Sequence, residues 1–244
     1  MKTFFRNNNS DELILFFCGW GMDEKPFLPL KSSADILFFY DYTDADSFLS
    51  NWQIQPTATS LRDINCQLSQ EKPTEAISSA LDKNYKSTTL IAFSYGVFMA
   101  AFLKDILPPC DLKIAINGTL KPVDEKFGIP EKIFKLTLEN MTANTAYKFR
   151  EKLFDNKDHL FIFNENLPVR DLESSLTELS ALKKYFFENK EVDFEYDKVL
   201  IGNSDKVIPV KNQKNYWQSH QNQHLVEGGH FLFYNVDDFS ELTL

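Results

Sequence analysis

The chain has 244 residues, of which 43% are hydrophobic and 25% are charged, so its composition is that of a globular protein and not of a disordered or fibrous one. Its 26 lysines and arginines against 35 aspartates and glutamates give a formal net charge of -9, which argues against broad, sequence-independent binding to nucleic acid or to a membrane surface. No apolar run resembles a secretory or membrane-spanning segment, and the three cysteines show neither disulfide nor metal-ligand spacing, so we expect a cytoplasmic protein without metal or cofactor.

Apolar runs that end at turn residues predict the strands of a mostly parallel α/β sheet. Because these runs are apolar throughout, we expect the strands to be buried on both faces. Amphipathic segments between the runs predict helices that cover the sheet. The predicted strands are residues 13–18, 36–40, 88–93, 113–116, 199–201 and 224–226, and the predicted helices are residues 74–84, 95–107, 209–219 and 231–242.

The stretch from about 125 to 194 interrupts this alternation. It is rich in Lys, Glu and Leu, and amphipathic periodicity in residues 133–138 and 172–187 predicts helices there. We therefore expect a single domain over residues 1–244 with a helical cap inserted at about 125–194. Residues 43–73 carry Asn, Gln, Pro and repeated Ser and Thr, which favour a loop.

Glycines lie near the predicted strand ends. Of the eight glycines, all but Gly128 lie within a few residues of such an end. Glycine permits positive φ and close approach of the backbone to a ligand, and ligands of open α/β sheets bind at the carboxyl ends of the strands. The pattern favours a functional site at that edge, although any one glycine is equally typical of an ordinary turn.

The segment Ala92-Phe93-Ser94-Tyr95-Gly96 joins a predicted strand to a predicted helix. A serine at such a turn projects its hydroxyl above the sheet edge, and small residues two positions before and after it let strand and helix pass closely, as in the G-x-S-x-G nucleophile elbow. Ala92 stands in place of the first glycine. Taken alone, the motif fits Ser94 either as a nucleophile or as the N-cap of the helix.

A serine hydroxyl needs an adjacent base, and His230 is the histidine that fits best. It follows the last predicted strand in a Gly-Gly-His loop, where a base at the sheet edge would lie. The other histidines occupy the insertion or a polar stretch and are His159, His220 and His224.

An acid must orient the base, and two aspartates follow predicted strands. Asp205 follows the strand at 199–201, and it gives the chain order Ser94, Asp205, His230 that α/β-hydrolases use. Asp124 follows the preceding strand, where some members of this fold place the acid. Either aspartate could instead form a surface salt bridge. We choose Asp205 because its loop leads directly to the helix and strand before His230.

Hydrolysis of an ester also needs donors for the developing oxyanion. The backbone amide of Tyr95, directly after the serine, supplies one by position. The Gly19-Trp20-Gly21 segment after the first predicted strand lets the backbone turn an amide inward, and Trp20 is the candidate for the second donor. The competing interpretation, phosphate binding by a glycine-rich loop, lacks the third glycine or the Lys-Ser/Thr pair of such motifs.

Three segments together resemble the BioG-type pimeloyl-[acyl-carrier protein] methyl ester esterases. They are residues 16–22 (FFCGWGM), residues 92–96 (AFSYG) and the stretch from 116–119 (INGT) through 127–130 (FGIP) to 137–142 (TLENMT). The first two are shared with other hydrolases, including the BioH-type esterases of the same pathway step, whereas the INGT to FGIP stretch is specific.

The resemblance implies an α/β-hydrolase fold and an acyl carrier protein as partner. It implies hydrolysis of the methyl ester at the far end of a pimeloyl chain, a step of biotin biosynthesis, with Ser94, Asp205 and His230 matching the family triad. Ala92 fits this family. The alternatives are a generic carboxylesterase or thioesterase with the same triad, and a non-catalytic binding protein of the same fold.

The inserted region carries the expected recognition surfaces. Apolar residues could shield a long acyl chain from water, and the candidates are Trp20, Phe127, Ile129, Ile133 and Phe134. Residues 121–152 hold seven basic and five acidic residues, so a local patch there could dock the acidic carrier although the chain as a whole is acidic. The candidate docking residues are Lys132, Lys135, Lys148 and Arg150; single surface lysines equally often only solvate a helix.

Overall fold

The computed structural model describes residues 1–47, 80, 83–188 and 191–244. Within these residues one seven-stranded sheet has the strand order β1-β3-β2-β4-β5-β6-β7. Every neighbouring pair is parallel except β1 and β3, which are antiparallel. The strands are β1 (Lys2–Arg6), β2 (Glu12–Phe17), β3 (Asp35–Tyr40), β4 (Ser87–Phe93), β5 (Leu112–Ile116), β6 (Lys198–Gly202) and β7 (Gln223–Val226).

The central strands are buried on both faces, as their apolar runs predict. Alternate residues of β2 enter different clusters: Phe17 packs with α1 residues on one face, and Phe16 packs on the other. The Phe16 face is covered by side chains from loops and short 3-10 turns, including Phe27, Phe231 and Phe233, whose rings lie against one another. Aromatic side chains therefore cover much of this face, whereas α1 covers the Phe17 face.

Six α-helices have both ends within the described residues. They are α1 (Gly96–Phe102), α2 (Glu131–Asn140), α3 (Ala143–Lys152), α4 (Lys157–Glu165), α5 (Leu172–Glu188) and α6 (Val210–Tyr216). We call α2 to α5, which lie between β5 and β6, the helical insertion. None of the described helices has both the length and the apolar character that a membrane crossing requires.

The predicted helix at 231–242 is wrong. The chain instead forms two 3-10 turns, Phe233–Asn235 and Phe239–Leu242, separated by extended backbone at Val236. The helical spacing of Leu232, Val236 and Phe239 arises because these side chains pack, with Phe231 and Phe233, in the cluster on the Phe16 face of the sheet. Asp238 then caps the second turn, so packing and capping override the helical periodicity.

Three further segments differ from expectation or escape description. The predicted helix at 95–107 ends at Phe102 and is followed by a 3-10 turn, Lys104–Ile106. The edge strand β1 carries no buried side chain and was not predicted. Most of the helix predicted at 74–84 and of the loop predicted at 43–73 lies outside the described residues.

Candidate active site

Ser94 lies in a strained turn between β4 and α1. Its φ is 57°, in the left-handed region that non-glycine residues rarely adopt. The turn is tight because α1 packs directly on the end of β2: a Cβ at Gly96 would lie 2.3 Å from the carbonyl oxygen of Phe17. Tyr95, not Ser94, is the N-cap of α1 and makes no side-chain cap, so the N-cap interpretation of Ser94 is wrong.

The hydroxyl of Ser94 points at His230 instead. Ser94 Oγ lies 2.9 Å from His230 Nε2, and His230 Nδ1 lies 2.8 Å from Asp205 Oδ2. All three side chains are buried. An ionised carboxylate only accepts hydrogen bonds, so Nδ1 carries the proton and Nε2 presents its lone pair to the serine hydroxyl. The arrangement can therefore accept the proton of Ser94 as its oxygen attacks an electrophile.

The Asp205 carboxylate accepts hydrogen bonds on both oxygens. Oδ1 accepts from the amides of Val207 and Ile208 at 2.8 and 3.0 Å. Oδ2 accepts from Gln213 Nε2 at 2.8 Å in addition to His230. Gln213 is fully buried on α6. These donors fix the carboxylate plane facing the imidazole.

Asn117 ties the acid and base loops together. It is fully buried at the end of β5, with a φ of 46°. Its Nδ2 donates to the carbonyl oxygens of Gly229 and His230, and its Oδ1 accepts from the amide of Gly202, at 3.1, 2.7 and 2.7 Å. Sequence reasoning did not assign this residue a role, although it opens the INGT segment quoted for the family resemblance.

Asp124 and Phe127, both candidates from sequence, lie in the loop between β5 and α2. Asp124 Oδ1 accepts from the amides of Lys126 and Phe127 at 2.7 and 3.0 Å, so this aspartate caps its own turn and does not reach His230. The Phe127 ring packs edge-on against Tyr216. Phe127 therefore does not join the residues that line the cavity beside Ser94.

The Gly19-Trp20-Gly21 loop follows β2 and passes beside Ser94. A Cβ at Gly19 would lie 3.1 Å from Ser94 Cβ. In the described part of the chain, the amides of Trp20 and Tyr95 donate to no backbone carbonyl. Both amides therefore retain hydrogen-bonding capacity for a ligand at Ser94, as an oxyanion site requires.

Two neighbouring cavities meet at Trp20. The smaller, of about 60 Å³, is lined by Ser94 and His230 together with apolar residues. The larger, of about 340 Å³, lies between the loop after β2 and the helical insertion, and it shares Trp20 and Phe149 with the smaller one. The Trp20 and Phe149 rings meet edge-on with centroids 5.3 Å apart. Of the cavity residues predicted from sequence, Trp20, Ile129, Ile133 and Phe134 line the smaller cavity, and Phe127 does not.

The four candidate docking residues differ in their surroundings. Lys132 and Lys148 are exposed on α2 and α3. Lys135 is exposed and pairs with Glu131 at 2.8 Å, which partly neutralises its charge. Arg150 is half-buried and lines the larger cavity.

In the part of the chain that the structure describes, neither cysteine is a reactive thiol and no metal-binding cluster forms. Burial, with a smaller contribution from Asp23, raises the pKa of the Cys18 thiol well above its usual value, so Cys18 stays protonated and unreactive. Cys66 lies outside the described residues. Over the described ranges, His, Cys, Asp and Glu side chains form no group of three that could bind a metal ion.

Comparison with known proteins connects this geometry to one family. A sequence model of the family described as "Pimeloyl-ACP methyl esterase BioG" matches residues 75–242. The crystal structure of selenomethionine BioG from Haemophilus influenzae is similar over 99% of both chains, with a TM-score of 0.78 and 29% identical residues. An esterase from Exiguobacterium antarcticum has a TM-score of 0.58 at 13% identity and covers 96% of this chain and 89% of its own. The mostly parallel sheet and these similarities establish the predicted α/β-hydrolase fold.

A curated relative carries a different activity in its name. "Malonyl-[acyl-carrier protein] O-methyltransferase" from Bacteroides fragilis (strain 638R) is 33% identical over 223 residues. The match covers 90% of this chain but 39% of that protein. The chain therefore spans less than half the length of this relative, and the relative's activity belongs to a much longer protein.

Proposed function

Because the chain belongs to the BioG family of pimeloyl-ACP methyl esterases, we propose that it hydrolyses the methyl ester of a pimeloyl group carried on acyl carrier protein. The products are the free carboxylate, still attached to the carrier, and methanol. One observation carries the chemistry: the buried hydrogen-bonded series Ser94, His230 and Asp205 beside a cavity. Family membership carries the substrate.

Acylation begins with Ser94. Its Oγ attacks the ester carbonyl carbon while His230 Nε2 takes the hydroxyl proton, and the carbonyl π electrons move to the oxygen. The resulting imidazolium is stabilised by Asp205, which accepts from Nδ1 at 2.8 Å. Collapse of the tetrahedral intermediate breaks the bond to the methoxy oxygen, and His230 returns the proton to it as methanol leaves.

Deacylation repeats these steps with water. His230 takes a proton from a water molecule as its oxygen attacks the acyl-enzyme carbonyl, and the proton then returns to Ser94 Oγ as the carboxylic acid leaves. In both steps the amides of Tyr95 and Trp20 donate to the developing oxyanion. Removing one donor of this kind costs about 100- to 1,000-fold in kcat.

The cavity beside Ser94 suits the apolar part of such a substrate. Ile129 and Phe134 are buried and line it together with Trp20. Each methylene of an acyl chain that leaves water there contributes about 0.8 kcal/mol. The apolar part of the lining suits an acyl chain, and Lys152 and Lys206 line the cavity as well.

The family and the relative's name both support acyl carrier protein as the partner. The B. fragilis relative is named for transfer of a methyl group to a carrier-bound acid, and an esterase of this family removes such a group. The exposed lysines Lys132 and Lys148 offer the local positive charge that an acidic carrier needs on a chain of net charge -9.

The test is the direct conversion of the carrier-linked ester. Purified protein is incubated with pimeloyl-[acyl-carrier protein] methyl ester, and the intact carrier is followed by mass spectrometry. We expect loss of the mass of one methylene with the wild type and no change with Ser94→Ala. Hydrolysis of short p-nitrophenyl esters alone would identify a generic carboxylesterase. Failure on both substrates, with no fluorophosphonate labelling, would identify a binding protein.

A further inference from the structure

Glu178 is a buried acidic residue of the helical insertion that the reaction described above does not use. It lies on α5 with 0% of its surface exposed. Oε2 accepts from the amide of Gly21 at 2.9 Å, and Oε1 accepts from the amide of Tyr42 at 3.1 Å. Burial of a carboxylate is unfavourable unless it is paired and hydrogen-bonded. These two contacts therefore offset part of that cost and tie α5 to the two loops.

Arg170 supplies the balancing charge. Its guanidinium is 5% exposed and donates to Glu178 Oε2 at 2.5 Å, and its Nη2 lies 3.2 Å from Asp41 Oδ1. The same nitrogen donates to Ser174 on α5. Glu178 is thereby kept in one orientation, with each carboxylate oxygen aimed at one backbone amide.

The Gly21 amide places Glu178 next to the oxyanion loop. Residues 19–22 close a turn in which the Met22 amide donates to the Gly19 carbonyl at 3.3 Å, with Gly21 at a φ of 71°. The indole Nε1 of Trp20 donates to the carbonyl oxygen of Ser175, at 2.6 Å and one turn of α5 before Glu178. Helix α5 thus holds Trp20 by its side chain and by the amide that follows it.

We propose that Glu178 is a positioning residue for the oxyanion donor: it fixes the 19–22 loop so that the Trp20 amide faces the carbonyl oxygen above Ser94. The inference rests on the proposed function and adds to it that the helical insertion orients the catalytic donors as well as covering the cavity. An oxyanion donor works through its fixed direction, and a displacement of about 1 Å can cost about 100-fold.

Glu178→Gln is the informative variant. It keeps the length of the side chain and one acceptor oxygen, but its amide nitrogen meets one of the two N–H groups that now donate to the carboxylate. Lys184→Gln is the matched control, because Lys184 lies on the same helix and pairs at the surface with Asp46 at 2.8 Å, a contact that involves no residue of the 19–22 loop. Glu178→Leu removes both acceptors.

The readouts separate positioning from folding. Each variant is assayed for kcat and KM on a small methyl ester, for thermal unfolding, and for inhibition by a trifluoromethyl ketone ester analogue. Ser94 Oγ adds to the ketone carbon, its proton passes to His230, and the resulting oxyanion uses the same amide donors as the transition state. A purely structural anchor would change Tm without changing the ketone's affinity per folded molecule.

We expect Glu178→Gln to lower kcat by about 10- to 100-fold, with KM within about twofold, and to weaken ketone inhibition by the same factor. Lys184→Gln should change none of these, and Glu178→Leu should lose at least as much as Glu178→Gln if it folds. A folded Glu178→Gln with wild-type kcat and ketone affinity would overturn the inference while leaving the proposed function intact. A wild type that hydrolyses no ester would overturn both.

Discussion

The two sides of the candidate site are held in different ways. On the proton-transfer side, Ser94, His230 and Asp205 sit on loops at strand ends, and Asn117 and Gln213 bind those loops from within the α/β core. On the oxyanion side, the 19–22 loop is bound by α5 of the helical insertion.

The comparison indicates a division of labour. Strand ends fix the proton-transfer residues because neighbouring parallel strands already bring their carboxyl ends together. The donor loop also follows a strand, β2, but its Gly21 amide and its Trp20 indole are bound by side-chain and backbone groups of α5, which lie 157 and 155 positions later in the chain. Disruption of the core side should therefore abolish chemistry, whereas disruption of the insertion side should weaken it.

The largest effect is expected for the nucleophile and base. Ser94→Ala and His230→Ala should each lower kcat by about 10⁴-fold or more, and the double variant should be little worse than either alone, because the two act as one unit. Steady-state kinetics of the three variants, with circular dichroism to confirm folding, checks this. Retention of even about a tenth of the activity by Ser94→Ala would contradict the assignment.

The second prediction concerns which of the two aspartates considered from sequence orients His230. Asp205→Asn should lower kcat by about 10³- to 10⁴-fold, because the amide favours the wrong imidazole tautomer. Asp124→Asn is the control, since Asp124 caps its own turn. A folded Asp124→Asn that is more impaired than Asp205→Asn would move the acid to the preceding strand.

Asn117 tests whether the core side depends on loop positioning. Asn117→Asp keeps an acceptor for the Gly202 amide but replaces the donor to the Gly229 and His230 carbonyls with a repelling oxygen. We expect kcat to fall by about 10- to 100-fold. We also expect a lower Tm, because a buried group that loses its hydrogen-bond partner lowers the free energy of unfolding by about 1–3 kcal/mol. Unchanged kcat in this variant would show that His230 is held without Asn117.

The outer surface of the insertion should affect the carrier alone. Lys132→Glu combined with Lys148→Glu should slow hydrolysis of the carrier-linked ester several-fold, more strongly at low salt, and spare a small methyl ester. Lys183→Glu, an exposed lysine of α5 outside residues 121–152, is the control. Equal loss on both substrates would indicate damage to folding, and no loss would remove this surface as the docking site.

The smallest expected effect concerns the stability of the insertion side. Burial raises the pKa of Glu178 above its usual 4.5, although the neighbouring Arg170 opposes this. The folded protein therefore binds this proton more tightly than the unfolded chain, and the stability that the proton gives is lost as pH rises from about 4.5 through the folded pKa. Glu178→Gln has no such proton to lose. Urea unfolding should therefore show that the free energy of unfolding of the wild type falls relative to that of Glu178→Gln as pH rises through this range. A rise in the free energy of unfolding of the wild type relative to that of Glu178→Gln over the same range would contradict the burial argument.

Much of the core side was predictable from sequence because it depends on strand ends. Apolar runs located the strands, and the residues that follow them identified Ser94, Asp205 and His230 as neighbours. The error at 231–242 arose because Leu232, Val236 and Phe239 have helical spacing while, in the structure, they pack with Phe231 and Phe233 in the cluster on the Phe16 face of the sheet. The spacing of apolar residues along the sequence does not specify which surface those residues pack against.

The supporting residues could not be found in this way. Asn117, Gln213 and Glu178 are residue types that usually lie on surfaces and in turns, and nothing in their local pattern indicates burial. Each is defined by partners 85, 8 or 157 positions away along the chain. Their roles become visible only when the fold brings those partners together.

Covalent labelling of Ser94 is the most direct test of the account as a whole. The protein is treated with a fluorophosphonate, digested and analysed by mass spectrometry, beside His230→Ala and Asp124→Asn. We predict a single adduct on Ser94 that forms rapidly in the wild type and in Asp124→Asn and far more slowly in His230→Ala, because the base must accept the serine proton. An adduct on another residue, or undiminished labelling of Ser94 in His230→Ala, would contradict the assignment of these residues as nucleophile and base.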